Sequence, residues 1–221
     1  VGRQTELAAL YERLLDPACR LVTVSGLGGM GKTRLALHAA ATLKHAFLHG
    51  AWVVALESAG DPLGLPAAIA TALELPLAPG APPETVVLQA LQERELLLIL
   101  DGFEAMLEDA PLLQEWLAAA PGLTLCVTSR QRLAVRGEAV LTLDGLDPAA
   151  AADLFCACVR RINPACDPTL TPDALERLCH MTGGMPLALE LAAAWADRYE
   201  VSAIVAQVAH DSEALSGAYR D

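Results

Sequence analysis

The sequence predicts an α/β domain built on a parallel sheet, followed by a small all-helical domain. Three observations carry this. Gly26–Thr33 reads GLGGMGKT and lies between a short β-branched run and a run of helical period. Four more short apolar runs alternate with helix-like segments as far as residue 147. Beyond Asp147-Pro148 only helical patterns remain. Continuous apolar strands separated by helices imply a parallel sheet covered on both faces.

Taken in order, Glu6–Leu15 reads as a short amphipathic helix that Asp16-Pro17 ends. Leu21–Ser25 (LVTVS) is the first strand, and Lys32–His45 the helix after the glycine-rich loop. Ala51–Leu56 is the second strand, Pro66–Leu73 a helix, and residues 76–83 a proline-rich surface loop. Thr85–Arg94 is helical, and Glu95–Leu100 (ELLLIL) runs into the third strand. Leu112–Ala119 is a helix, Leu123–Thr128 the fourth strand and Val140–Leu143 a short fifth. Ala149–Arg161, Asp173–Met181, Pro186–Tyr199 and Ser202–Ala209 carry Ala and Leu at helical spacing. The predicted domains are therefore 1–147 and 148–221.

The chain has 221 residues, 54% of them hydrophobic and 19% charged, which suits a packed core and argues against disorder. Aromatics make up only 4%, so Leu, Ala and Val must build that core. Fifteen basic against 27 acidic residues give a net charge of -12, which argues against a long nucleic-acid groove on this segment. The chain opens on Val1 rather than Met, as expected of a segment excised from a longer protein. The spacings of Cys19, Cys126, Cys156, Cys158, Cys166 and Cys179 match no zinc pattern, so reduced, mostly buried cytoplasmic thiols are expected. No apolar run reaches the roughly 18 residues of a membrane span, and no basic-headed signal segment is visible.

GLGGMGKT fits the phosphate-loop pattern G-x-x-x-x-G-K-[ST] in full. Gly28, Gly29, Met30 and Gly31 allow successive backbone N–H groups to turn inward on phosphate oxygens, and the helix that follows points its positive end at the same anion. Lys32 can reach the terminal phosphates, and Thr33 can offer its hydroxyl to Mg²⁺. The competing reading, a glycine-rich turn without ligand, requires Lys32 to stand there by accident. Asp101, at the carboxyl end of a buried strand, is placed to hold Mg²⁺ through water, or else is a turn carboxylate in Asp101-Gly102. Glu104 orients water or senses the terminal phosphate, or is a surface loop carboxylate. Arg130, in Thr128-Ser129-Arg130 after the fourth strand, pairs with the outer phosphate or is a surface arginine. Arg132 and Arg136 read as solvated. Gly102, not Glu, follows Asp101, so slow hydrolysis is expected where a fast hydrolase needs a polarising carboxylate. Gly183-Gly184-Met185-Pro186 alone reads as a helix start. The five histidines form no catalytic or metal set, and Trp195 with the nearby leucines is expected in the core.

Together these motifs resemble the signal-transduction NTPases with numerous domains (STAND), cousins of the NB-ARC and apoptotic-ATPase modules, and most nearly the ATP-binding module of bacterial AfsR- and LuxR-type regulators. Val1–Leu10 (VGRQTELAAL) is similar to their opening motif, which would bring Val1, Gly2 and Arg3 near the adenine and ribose. LVTVSGLGGMGKTRLAL, which includes Arg34, resembles their phosphate loop. LLLILDGFE resembles LLVLDNFE, making Asp101 the magnesium aspartate and Glu104 the family glutamate, with Gly102 in the usual Asn place. VTSR resembles their sensor, which ends in Arg130. GGMPLALELAAA resembles GGLPLAL, so that Pro186 would pack against the base or sugar. The resemblance implies a P-loop NTPase three-layer sandwich with a five-stranded sheet of order 2-3-4-1-5, closed over by a helical lid like the first ARC domain.

It also implies a switch that binds ADP or ATP with Mg²⁺, a closed monomer with ADP and a homo-oligomer with ATP. Winged-helix and repeat-sensor domains usually follow, and residues 209–221 would run toward the first of these. Hydrolysis would be that of a weak ATPase. Two other readings stand beside it. An ATP-driven enzyme of the AAA+ type needs a strong base next to Asp101 and an arginine from a neighbour. A scaffold that keeps ADP as a structural cofactor and never cycles needs neither, and the intact Lys32, Thr33 and Asp101 argue mildly against it. A GTPase reading lacks an N-K-x-D guanine motif.

Overall fold

The computed structural model describes residues 2–56, 64–78 and 80–208. Its helices and strands are α1 (Gln4–Leu15), β1 (Leu21–Ser25), α2 (Lys32–Leu43), β2 (Ala51–Ala55), α3 (Gly64–Ala72), α4 (Pro83–Gln92), β3 (Leu96–Asp101), α5 (Ala110–Ala119), β4 (Leu123–Ser129), β5 (Glu138–Thr142), α6 (Pro148–Ile162), α7 (Pro172–Thr182) and α8 (Pro186–Ala193). Two 3₁₀ segments, Phe103–Asp109 and Ala194–Asp197, precede α5 and follow α8. Residues 201–208 are helical. The chain divides into two compact units, one of residues 4–27 and 32–143, the other of residues 2–3, 28–31 and 144 onward.

The first unit is built on five parallel strands in the order β2-β3-β4-β1-β5. Side chains alternate between the faces of a strand. Leu96, Leu98 and Leu100 of β3 and Leu123, Leu125 and Val127 of β4 therefore point one way, into a cluster with Leu65 and Ile69 of α3, Val87 and Leu91 of α4 and Trp116 of α5. Leu97, Ile99 and Cys126 point the other way and are equally buried; α1 and α2 pack on the sheet as well. Burying each such leucine stabilises the fold by about 2 kcal/mol. Helices thus flank a sheet whose central strands are buried on both faces and mostly apolar. Parallel pairing brings every carboxyl end to one edge, and β4, inserted between β3 and β1, brings the ends of those three strands side by side.

In the second unit α6 starts at Pro148 behind the N-cap Asp147, whose Oδ1 accepts from Ala150 N at 2.9 Å. Thr171 caps α7 in the same way, accepting from Ala174 N at 3.2 Å. α7 ends at Gly183 in the left-handed region (φ 58°), the usual solution for a helix C-terminus. Gly184 is left-handed as well, at φ 64°. Leu154, Phe155, Cys158 and Val159 of α6 close a core with Leu178, Leu189, Ala193 and Ile204.

Several sequence expectations shift. The helix expected over Pro186–Tyr199 is regular only to Ala193, then tightens into a 3₁₀ turn and ends. Trp195, expected in the core, is 36% exposed, and Leu191 of the same helix is 61% exposed. The 3₁₀ segment Phe103–Asp109 is unexpected, although Phe103, Met106 and Leu107 fall at helical spacing and join the core. None of the six cysteines forms a disulfide, and of the six only Cys126 and Cys158 are buried. Val1 and residues 209–221 lie outside the described residues. Among the described residues no helix is long and apolar enough to cross a membrane.

Candidate functional site

In the first unit the chain turns sharply out of β1 at Gly26. A Cβ there would lie 2.7 Å from the Leu143 carbonyl oxygen, so only glycine lets these backbones pass. Lys32 opens α2, and its buried ammonium donates to the carbonyls of Gly26 at 2.9 Å and Leu27 at 3.1 Å. The cation is thus held against the two residues that begin the loop.

Asp101 is the last residue of β3. Its Oδ1 accepts two hydroxyl protons, from Thr33 at 2.8 Å and from Thr128 at 2.6 Å. Thr128 Oγ1 in turn accepts from the buried N–H of Gly102 at 2.9 Å. A threonine hydroxyl and a carboxylate in contact form a hard-oxygen donor set, the kind that suits Mg²⁺. Directly beneath, Cys126 of β4 is fully buried; burial, and secondarily the Asp101 charge, push its thiol up to about 12.

Gly102 takes φ 78° and ψ 47°, a left-handed turn that starts the 3₁₀ segment. Asn is the side-chain-bearing residue that most readily accepts this conformation. The relation between Gly102 here and the expected Asn therefore has a backbone cause. One turn on, Glu104 Oε1 lies 3.6 Å from Arg130 Nε, while its other oxygen is buried without a partner. Arg130, just past β4, is largely exposed.

In the second unit Gly2 and Arg3 are both left-handed, at φ 67° and 68°. The Arg3 guanidinium donates to the Asp144 carbonyl and, at 3.4 Å, to that of Met30. The Gly29 carbonyl accepts from Leu187 N, next to Pro186, at 3.2 Å. A Cβ on Gly29 would lie 2.8 Å from that of Leu187, so the glycine is required. Gly31, at φ 87°, has open space where a Cβ would stand. The Leu146 N–H donates to the Gly184 carbonyl at 2.8 Å.

Among the sequence-predicted residues, Lys32, Thr33, Asp101, Glu104 and Arg130 gather at the carboxyl edge of the sheet. Arg3, Gly29, Met30 and Pro186 gather in the second unit, and Gly28 and Gly31 belong there too. Arg34 is exposed on the first turn of α2. Sequence reasoning named Thr128 only as part of a polar triplet; β4 also carries Thr124 and Ser129, and what singles out Thr128 is its register beside Asp101. It also passed over Gly145, where a Cβ would run into the Gly183 carbonyl.

Residues 1–170 match the family described as the AAA ATPase domain. An uncharacterized protein of Mycobacterium tuberculosis (strain ATCC 25618 / H37Rv) is 32% identical over 223 residues, which cover 99% of this chain and 56% of that protein. Regulatory protein AfsR of Streptomyces griseus is 29% identical over 97% of this chain and 23% of its own length. The chain thus spans about half of the first relative and a smaller part of the second. A STAND protein with a tetratricopeptide repeat sensor from Pyrococcus horikoshii shares the fold, with a TM-score of 0.59 and 19% identity over 94% of this chain and 32% of that one.

Proposed function

Because the chain belongs to the AAA ATPase domain family and resembles the AfsR regulators, we propose that it is the nucleotide-dependent switch of a larger regulator of signalling or transcription. It binds ADP or ATP with Mg²⁺ and hydrolyses ATP slowly. The observation that carries this reading is the meeting of Lys32, the Thr33 hydroxyl and the Asp101 carboxylate at one strand edge.

Each residue then has a role. Gly28–Gly31 present backbone N–H groups to the phosphates, and Lys32 exchanges the Gly26 and Leu27 carbonyls for phosphate oxygens. Thr33 and Asp101 hold Mg²⁺, which when bound neutralises charge on the outer phosphates. Arg130 trades Glu104 for the terminal phosphate, so that ATP and ADP leave the Arg130–Glu104 pair in different states. Arg3 and Pro186 bear on the sugar and base, while Gly2 supplies the left-handed turn beside Arg3. No carboxylate stands at Gly102 to polarise water. A positioned base contributes about 10²- to 10⁴-fold to such reactions, so basal turnover is slow. With ADP the protein is a monomer; with ATP it forms a homo-oligomer, and domains outside this segment supply sensor and output.

The test is to denature the purified chain and identify the released nucleotide by ion-pair chromatography. Near-stoichiometric ADP is expected. An empty chain that also fails to bind ADP or ATP at millimolar concentration overturns the proposal.

A further inference from the structure

Thr128 is the next-to-last residue of β4, 1% exposed, in a strand that is otherwise largely Leu, Val and Cys. A buried hydroxyl is costly unless its bonds are made. Here both kinds are made, and each fixes the other. The Gly102 N–H occupies a lone pair of Oγ1, which directs the single hydroxyl proton to Asp101 Oδ1. The register explains why this is reached: Leu100 pairs with Val127, so Thr128 lies alongside Asp101 and the turn that follows it. One side chain therefore sets both the carboxylate and the start of the segment that carries Glu104.

The geometry points to Thr128 as the positioning residue of the metal site: its hydroxyl orients the Asp101 carboxylate for Mg²⁺ and ties the Gly102–Glu104 turn to that orientation. This rests on the nucleotide-switch reading above. Thr128 itself need touch neither metal nor phosphate. The Thr33 bond to the same oxygen comes from an exposed side chain on another element, and does not restrain the turn at Gly102. Removing a hydrogen-bond partner of a metal ligand commonly weakens metal binding by about 10- to 100-fold.

The experiment measures ADP binding to the full chain by calorimetry, once in EDTA and once across a Mg²⁺ titration, for the wild type, Thr128→Val and Thr128→Ser. The expected result for Thr128→Val is a Mg²⁺ midpoint raised about 10- to 100-fold, with ADP affinity in EDTA close to that of the wild type. Thr128→Ser, which keeps the hydroxyl, is expected to restore the midpoint. Thermal melts establish that each variant is folded, and Thr128→Ala replaces the valine variant if the latter does not fold. A folded variant lacking the hydroxyl but with the wild-type Mg²⁺ midpoint overturns the role of Thr128 alone. A wild type that binds no ADP overturns the switch reading and this inference with it.

Discussion

The two glycines before α8 offer a matched experiment. Gly183 and Gly184 are both left-handed, at φ 58° and 64°, so alanine at either carries the same backbone penalty, about 1 kcal/mol. Their surroundings differ. Nothing lies within 4 Å of a Cβ on Gly183, whereas one on Gly184 would stand 2.4 Å from the Leu146 carbonyl oxygen and 2.9 Å from its nitrogen. Both are backbone atoms and cannot rotate away. The clash adds about 1–3 kcal/mol of overpacking. Displacing the Leu146 N–H from the Gly184 carbonyl costs about 1 kcal/mol more. Gly183→Ala is therefore expected to cost about 1 kcal/mol and Gly184→Ala about 3–5 kcal/mol. Urea unfolding followed by circular dichroism measures both, and the quantity of interest is their difference, about 2–4 kcal/mol. Equal losses within about 0.5 kcal/mol would refute the close approach of segments 145–146 and 183–184, since the shared penalty cancels.

Two further outcomes follow from the sheet edge. Gly102→Asn is expected to unfold within about 1 kcal/mol of the wild type, whereas Gly102→Val loses about 2 kcal/mol or more, because a β-branched residue is a steric outlier at φ 78°. A valine variant as stable as the asparagine one contradicts that turn. Cys126, its thiol raised to about 12, stays protonated at every ordinary pH and carries no thiolate to attack an alkylating agent. Treatment of the native chain with iodoacetamide at about pH 8, read by peptide mass spectrometry, should leave Cys126 unmodified while unfolded chain is labelled; equal labelling of the two would be the contrary result.

The strands were legible because burial on both faces leaves no polar alternation to blur them: LLLIL and LTLCV read as what they are. The phosphate loop was legible because its spacing is chemical. The order of the strands came from the family resemblance, since neither hydropathy nor spacing says that β4 lies between β3 and β1. Less visible was anything that depends on one backbone meeting another. Gly145 looks like an ordinary loop glycine until Gly183 is beside it. The 3₁₀ segment after Gly102 has Phe103, Met106 and Leu107 at helical spacing, but its start is fixed by a left-handed turn and by Thr128, which no pattern announces. Trp195 falls at a helical spacing with Leu187 and Leu191, which suggested core, yet that face of α8 is the exposed one. Period identifies a stripe without saying what the stripe faces.

The strand order also bears on synthesis. Among the described residues β1 pairs with β4 and β5, with Leu21 opposite Leu125 and Glu138. The strand that leads into the phosphate loop therefore leaves the ribosome long before either partner exists, while β2 and β3 can pair much earlier. Until β4 emerges, Leu21–Val24 is an apolar segment with unpaired edges on both sides, the form of chain most prone to join a neighbour. A nascent chain arrested before Leu123 would hold the whole GLGGMGKT sequence without either strand that pairs with β1. Such a fragment is a natural client for chaperones, and a poor choice for anyone seeking a minimal phosphate-binding piece.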